Sequence, residues 1–385
     1  MKTFTYFEPK TEGHSAIWAA WLLERLLRHE AGMPVRLAAG AALIERLPSA
    51  LRDDPALSID PLPDGEMRAL TEGSLVARGL AQWGKARRLL AERSGICFIP
   101  AFDHALLGAC VDRRPVDGII TGIIFRPPNH FGLTPSLKGR VDTARRRAMY
   151  FASRRRATPF LFTLDETAAR DRMTAGRLLF SPDPAPDLSL LAVPGRKPRD
   201  DGRRGLLIFG ALSRRKGVVT LLRAIRHIAP ERQRGLALRM VGRIAGEDRA
   251  EIEAALSECR SANPDMAIEL VDRFVTDAEL AQEVVNCDVV LAPYQNHVGS
   301  SGVLFWAAAA GKPVIAQETG LMGYQARLHR LGTTTDTTDP QALARAIEGD
   351  PVISHEDAGA FVAEHTADNF ARSIFDRLLK GVRHG

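Results

Sequence analysis

The chain has 385 residues, which suffices for two domains of ordinary size. Hydrophobic residues make up 45% and charged residues 25%, a composition that excludes a disordered or fibrous chain. The net charge of +6 and the pI of about 9.3 favour anionic partners such as nucleotide phosphates, acidic lipid or nucleic acid. No apolar run reaches the roughly 20 residues of a membrane span, and the N-terminus lacks the apolar core of a secretory signal. We therefore expect a cytoplasmic protein. Its four scattered cysteines form no disulfide or metal-binding pattern.

Short apolar runs alternate with helical patterns in the first half, and this predicts an α/β domain with a parallel sheet over residues 1–187. A helix with apolar residues at helical spacing is expected over 14–29. Strands are expected at 3–7, 35–38, 96–100, 118–125, 159–164 and 178–180.

An arginine-rich helix is expected over 138–156. It suggests peripheral contact with an anionic membrane at the inner face, and the alternative is a solvated helix face with local ion pairs. No aromatic-interleaved platform accompanies these arginines, so we expect no nucleic-acid partner.

A proline-rich polar stretch predicts a linker over 188–204. Beyond it, a regular run of strand–helix units predicts a second doubly wound domain over 205–370. Its strands are expected at 205–209, 237–241, 267–270, 289–292 and 313–316. A last helix in 371–385 either packs locally or crosses back to the first domain.

The loop after the first strand of the second domain contains Gly210, Arg214, Arg215 and Lys216. A diphosphate needs cationic side chains and free backbone N–H groups, and a strand-to-helix loop supplies both. Lys216 stands at the helix start, where it can place a point charge on a phosphate. The spacing is not that of a P-loop, and the alternative is a solvated basic loop.

A second helix start that suits an anion is predicted at Gly299, Ser300, Ser301 and Gly302. Small residues let a ligand approach the backbone, and the helix N-terminus points its N–H groups at an anion. The alternative is that Ser300 only caps a buried helix.

The ordered motifs between residues 205 and 348 resemble the nucleotide-sugar-binding domain of glycosyltransferase family 4. The matching motifs are Gly210 with Lys216 and Gly217, the strand ending at 240–242, the segments 277–280 and 287–293, and the segments 301–304 and 311–316. The resemblance implies a GT-B fold, with two Rossmann-like doubly wound α/β domains facing across a cleft.

It also implies a hexosyltransferase-type activity that moves a sugar from a nucleotide-diphosphate donor to an acceptor hydroxyl with retained configuration. The expected acceptor is a glycan, a lipid-linked molecule or a small molecule. No cofactor and no essential metal are expected.

The sequence departs most from the family's pattern at the positions that contact the donor sugar and the nucleoside. Two glutamates that the family usually carries are replaced by Val298 and Trp306, and the arginine of the phosphate loop is replaced by Ala211. Neither Val298 nor Trp306 can accept a hydrogen bond through its side chain. The remaining donor-side candidates are His297, Trp306 itself, Gly242, Arg243 and Gly320.

In the first domain, His104 follows a strand where family members often place a histidine near the sugar. We assign it, with Lys216, as a catalytic candidate; the alternative is a structural histidine at a strand end. Gly13, His14 and His130 are candidates for the acceptor side. Two rival interpretations are a non-catalytic GT-B-like binding protein and another GT-B enzyme, such as an epimerase or a phosphorylase-like catalyst.

Overall fold

The computed structural model describes residues 2–10, 15–28, 33–127, 137–154, 157–174, 176–185, 188–191 and 202–383. It forms two compact units: the first comprises Met1–Pro184 and Thr366–Gly385, and the second Ala185–His365. Gly13, His14 and His130, our acceptor-side candidates, lie outside the described residues. Within the described residues, no helix is long and apolar enough to cross a bilayer.

The first unit contains a seven-stranded parallel sheet of order β3-β2-β1-β4-β5-β6-β7. Its strands are β1 (Thr3–Glu8), β2 (Val35–Gly40), β3 (Leu57–Leu62), β4 (Gly95–Ile99), β5 (Gly118–Ile124), β6 (Leu161–Thr163) and β7 (Leu178–Phe180). All six residues of β1 are buried, because helices cover both faces of a parallel sheet. Strand β3 was not predicted. It contains Pro61, and only an edge strand tolerates proline readily.

The helices of the first unit up to the linker are α1 (Ser15–Arg28), α2 (Ala41–Ile44), α3 (Ser49–Arg52), α4 (Asp64–Thr71), α5 (Leu75–Glu92), α6 (Leu106–Val111), α7 (Leu137–Ala152) and α8 (Glu166–Arg170). Helix α1 buries one apolar face against the sheet, as its helical spacing predicts. Asp165 caps α8 by accepting hydrogen bonds from Thr167 N and Ala168 N.

The second unit contains a six-stranded parallel sheet of order β10-β9-β8-β11-β12-β13. Its strands are β8 (Arg204–Phe209), β9 (Leu236–Val241), β10 (Ala267–Val271), β11 (Val289–Ala292), β12 (Val314–Gln317) and β13 (Gly332–Thr335). Its helices are α9 (Val218–Ile225), α10 (Pro230–Gln233), α11 (Arg249–Ala262), α12 (Asp277–Asn286), α13 (Gly302–Ala309), α14 (Gly320–Leu328), α15 (Pro340–Glu348) and α16 (His355–Glu364). The predicted doubly wound sheet is confirmed, while β13, α10, α14 and α16 were not predicted.

The connections between the units differ from the predicted linker. Leu188–Leu191, expected in the linker, forms a 3₁₀ helix whose leucines pack against the second core. The second unit begins at Ala185, whose N–H donates to His365 O at 2.7 Å. The segment does not behave as a solvated linker, because exposing its leucine side chains to water would cost the free energy of apolar hydration.

The last helix, α17 (Ala367–Arg383), belongs to the first unit and not to the second. Phe370, Ile374 and Phe375 are part of the core formed by α1 and the first sheet. Arg25 of α1 forms an ion pair with Asp368 at the start of α17.

Candidate functional site

The strand order of the second sheet reverses between β8 and β11. From β8 the chain moves outward to β9 and β10, then returns to β11 on the other side of β8. The loops that follow β8 and β11 therefore diverge, and in such sheets the ligand crevice lies at the carboxyl ends of those two strands. Gly210 follows β8, and Pro293 follows β11.

Three glycines allow the loops at this edge to approach one another closely. Gly210, Gly217 and Gly242 all have positive φ angles, of 94°, 82° and 133°. A Cβ on Gly217 would lie 1.7 Å from Pro293 O, and one on Gly242 would lie 2.0 Å from Gly210 O. Only glycine fits these positions, so the sequence fixes the backbone of the crevice.

Lys216 is the central side chain of the crevice. Its residue is 7% exposed, and its Nζ lies 5.5 Å from the centre of the Phe209 ring and 5.3 Å from that of Tyr294. Within the described parts of the chain, no side chain forms an ion pair with this ammonium group. A buried cation with only aromatic faces beside it lacks the charge compensation that burial normally requires. The crevice thus offers a desolvated positive charge to an anion.

The two arginines of the loop lie in different places. Arg214 Nε is 3.0 Å from Glu251 Oε2 and 3.5 Å from Asp248 Oδ1, so its guanidinium is paired with acids. Arg215 lies beside Tyr294, with Cζ 5.7 Å from the ring centre. Because Arg214 is already paired with two acids, we favour Arg215 over Arg214 for the expected diphosphate role.

The loop from β11 to α13 is held by hydrogen bonds that position the helix start. The Tyr294 hydroxyl and Ser301 Oγ are 2.9 Å apart, and Ser301 Oγ accepts a hydrogen bond from Val303 N. His297 Nε2 donates to Ser300 O at 2.9 Å. Gly299 is half-buried and Gly302 is exposed at the first turn of α13, so neither residue adds a side chain at this helix N-terminus beside the Ser301 cap. This brings the second predicted anion-binding helix start to the edge that contains Lys216.

Two other donor-side candidates, Gly320 and Trp306, lie where backbone contact or core packing accounts for them. Gly320 has a positive φ of 69°, and a Cβ there would lie 2.4 Å from His297 O. Trp306 is 4% exposed and packs in the second core, so the expected nucleoside contact is corrected to a core position. The reason is that α13 is apolar on all sides from Val303 to Ala308, and such a helix is buried all round. Arg243, which follows β9, is exposed, so neither a close backbone approach nor core packing restricts its side chain.

A cavity of about 590 Å³ lies in the first unit at the carboxyl ends of β4 and β5. Its lining combines apolar side chains with the cationic residues Lys10, Arg126, Arg145 and Arg146. His104 also lines it. Burial, followed by the charge of Lys10, lowers the pKa of His104, which favours its neutral imidazole.

Asp103, next to His104, has a structural role. Its carboxylate accepts hydrogen bonds from Phe125 N at 2.9 Å and Arg126 N at 3.1 Å, which ties the loop after β4 to the loop after β5. Within the described ranges, no three His, Cys, Asp or Glu side chains form a group that could hold a metal ion.

Glu8 is a residue that the sequence analysis did not single out. It ends β1, an interior strand of the first sheet, is 2% exposed, and accepts a hydrogen bond from Lys10 N at 2.9 Å. Burial raises its pKa to about 7, although the bond from Lys10 opposes that rise. The signal in the sequence was an acid directly after an apolar strand, the position where parallel sheets place functional groups.

The raised pKa of Glu8 predicts a pH-dependent stability. Between about pH 4.5 and 7 the unfolded chain loses the Glu8 proton while the folded chain keeps it. The free energy of unfolding should therefore fall by about 3 kcal/mol as pH rises through this window, and change no further from this group above it. Glu8→Gln should remove that fall, as measured by denaturant unfolding at both ends of the window. Glu72→Gln, at an exposed position, should retain it; an unchanged pH profile in Glu8→Gln would contradict the assignment.

The chain is similar to known proteins in part of its sequence and in its fold. Residues 203–350 match the family model of Glycosyl transferases group 1. The solved trehalose 6-phosphate synthase of Burkholderia multivorans shares the fold over 100% of this chain and 99% of its own, with a TM-score of 0.70 and 15% identity. Anabaena HepE in complex with UDP aligns over 99% of this chain and 100% of its own, with a TM-score of 0.62 and 13% identity. The chain therefore has the two-domain α/β GT-B fold.

One curated protein also matches part of the chain in sequence. A GDP-mannose:glycolipid 4-beta-D-mannosyltransferase of Xanthomonas campestris pv. campestris is 34% identical over 125 residues, which are 32% of this chain and 30% of that protein. The match thus spans under a third of the relative's length. The family match and the fold agree on a glycosyltransferase-like second unit: the group 1 model matches within Ala185–His365, and the solved structures share the GT-B fold over the whole chain.

Proposed function

We propose that this protein transfers a sugar from a nucleotide-diphosphate donor to an acceptor hydroxyl. The observation that carries the proposal is Lys216, a buried ammonium group at the switch point of the second sheet with no acidic partner in the described residues. A diphosphate is the ligand that compensates such a charge. The family match over residues 203–350 supports the same assignment.

Departure of the nucleoside diphosphate is the chemical problem that this site solves. Negative charge grows on the leaving phosphate as the glycosidic bond breaks, and groups fixed beforehand stabilise it without reorganisation cost. Lys216 supplies a full charge, and the N–H groups of Ser301 and Gly302 supply the dipole of the α13 N-terminus. Arg215 lies close enough to Tyr294 to add a second cation.

We assign acceptor binding to the first-unit cavity, with neutral His104 as a hydrogen-bonding partner for a sugar hydroxyl. Its cationic and apolar lining suits an acceptor that has both an anionic and an apolar part. The glycolipid named for the mannosyltransferase relative is an acceptor of that general kind.

Finer properties follow from the family resemblance and are part of the proposal. We propose hexosyl transfer with retention of configuration, and no metal requirement because Lys216 and the α13 N-terminus provide the positive charge. The name of the mannosyltransferase relative specifies a β linkage, so the anomeric configuration of the product is the decisive measurement for stereochemistry. Activity that persists in a chelator would support metal independence.

The proposal is tested by titrating the protein with UDP, GDP, ADP and dTDP and following binding by calorimetry. We expect one diphosphate to bind in the micromolar range and its monophosphate clearly more weakly, because the second phosphate carries the charge that Lys216 compensates. The nucleotide sugars of the binding base then serve as donors. Absence of binding by all four diphosphates would contradict the proposal.

One observation favours a second candidate, a GT-B protein that binds a nucleotide or glycan without transfer. Val298 and Trp306 replace the acids that the family uses for sugar and ribose contacts, and Trp306 is a core residue. Diphosphate binding without turnover of any matching nucleotide sugar, across glycan and lipid acceptors, would establish this second function.

A further inference from the structure

Helix α7 exposes an apolar stripe to solvent along its whole length. Leu137, Val141 and Phe151 are 79%, 61% and 41% exposed, and Ala144 and Ala148 between them are exposed as well. At 100° per residue these five positions fall within an arc of about 80°. An exposed apolar stripe is costly in water, and on a helix it marks a surface that meets another phase or molecule.

Arginines border this stripe on both sides. Arg140 and Arg147 lie on one flank and Arg145 on the other, each exposed and each within about 80° of the stripe centre. The helix contains five basic residues and one acidic residue. A narrow apolar stripe between two basic flanks is the pattern of helices that lie in the plane of an anionic lipid surface.

The opposite side of α7 attaches the helix to the body of the first unit. Tyr150 is buried in the core, and its carbonyl accepts a hydrogen bond from Arg177 Nη1 at 2.6 Å. The Arg177 guanidinium also stacks on the Tyr150 ring at 4.6 Å. Cys110 Sγ of α6 donates to Met149 O at 2.8 Å. The stripe therefore faces outward on a helix whose other side is fixed, so it is not an unsatisfied core face.

We propose that α7 is a membrane-docking surface, which lies flat on an anionic bilayer with Leu137, Val141 and Phe151 among the acyl chains and its arginines at the headgroups. Charge complementarity selects the occupant, because a second copy of this basic helix would bring like charges together. The proposal does not depend on sugar transfer. Arg145 and Met149 belong both to α7 and to the lining of the first-unit cavity, so docking would bring that cavity to the lipid surface.

The test is co-sedimentation of the full chain with vesicles of phosphatidylcholine alone and of phosphatidylcholine with an equal part of phosphatidylglycerol. We expect binding to the anionic vesicles only, weakened by added salt. The triple variant Leu137→Ser/Val141→Ser/Phe151→Ser should lose most of this binding. Arg140→Gln/Arg147→Gln should weaken it about fivefold for each charge removed.

Matched controls distinguish binding through α7 from nonspecific binding through exposed apolar residues or surface charge elsewhere. Phe274→Ser/Val352→Ser removes strongly exposed apolar residues of the second unit, and Arg28→Gln/Arg232→Gln removes two exposed charges elsewhere. Both should bind vesicles like the wild type, and all variants should keep its thermal unfolding midpoint. Failure to bind anionic vesicles, or equal loss in the controls, would overturn the proposal. A dimer that the triple variant abolishes, without vesicle binding, would overturn it in favour of a second copy.

Discussion

Replacing Lys216 with alanine should weaken nucleoside diphosphate binding about a hundredfold and reduce sugar transfer by a similar or larger factor. The ammonium group is buried against Phe209 and Tyr294, so its interaction with a phosphate is only weakly screened by water. Calorimetric titration of the diphosphate that the wild type binds, followed by initial rates with its nucleotide sugar, measures both effects. The variant should also be at least as stable as the wild type without ligand, because it no longer buries an uncompensated charge.

Arg214→Ala is the matched control for this experiment. It removes a cation two residues away whose guanidinium pairs with Glu251 and Asp248, so nucleotide affinity should change by less than about threefold. Equal losses in the two variants would show that the loop attracts anions through its general charge and not through the Lys216 crevice. Unchanged affinity in Lys216→Ala would contradict the proposed site itself.

Gly217→Ala should lower the free energy of unfolding by about 3 kcal/mol or more and abolish nucleotide binding in the protein that remains folded. The added Cβ would require a left-handed conformation and would meet Pro293 O at 1.7 Å, a backbone atom that cannot rotate away. To relieve the clash, the loops after β8 and β11 must separate, which displaces Lys216 from Tyr294. Denaturant unfolding and the same titration measure the two consequences.

Gly246→Ala provides the comparison within the same unit. A Cβ at Gly246 would meet no atom within 4 Å, and we expect its unfolding free energy to stay within about 0.5 kcal/mol of the wild type. If Gly217→Ala were as well tolerated as Gly246→Ala, the close approach of the two loops would not be a feature of the folded protein.

The second unit was the more predictable half of the fold. Its strands β8 to β12 are short apolar runs between helices with clear periodicity, and the loop glycines and Lys216 keep fixed positions relative to them. Edge strands were missed in both sheets. Strand β13 has the sequence Gly-Thr-Thr-Thr and β3 contains Asp60 and Pro61, so neither shows the apolar signal of a buried strand.

The site was predictable where it depends on backbone and not where it depends on side-chain direction. Positions of Lys216 and of the α13 start follow from strand–loop–helix order, which sequence motifs report directly. Whether Arg214 or Arg215 faces the crevice depends on Asp248 and Glu251, which are more than thirty residues away along the chain. Burial of Glu8 and the outward direction of the α7 stripe likewise result from packing between segments that no local pattern specifies.

The position of α17 has a consequence for synthesis on the ribosome. The second unit is one continuous stretch, Ala185–His365, whereas the core of the first unit includes Phe370, Ile374 and Phe375 from the end of the chain. Every residue of the second unit therefore emerges before the first unit can close over α1. A nascent chain that stops after His365 would contain the whole second unit and a first unit with an open apolar face, which is the kind of surface that chaperones and proteases recognise.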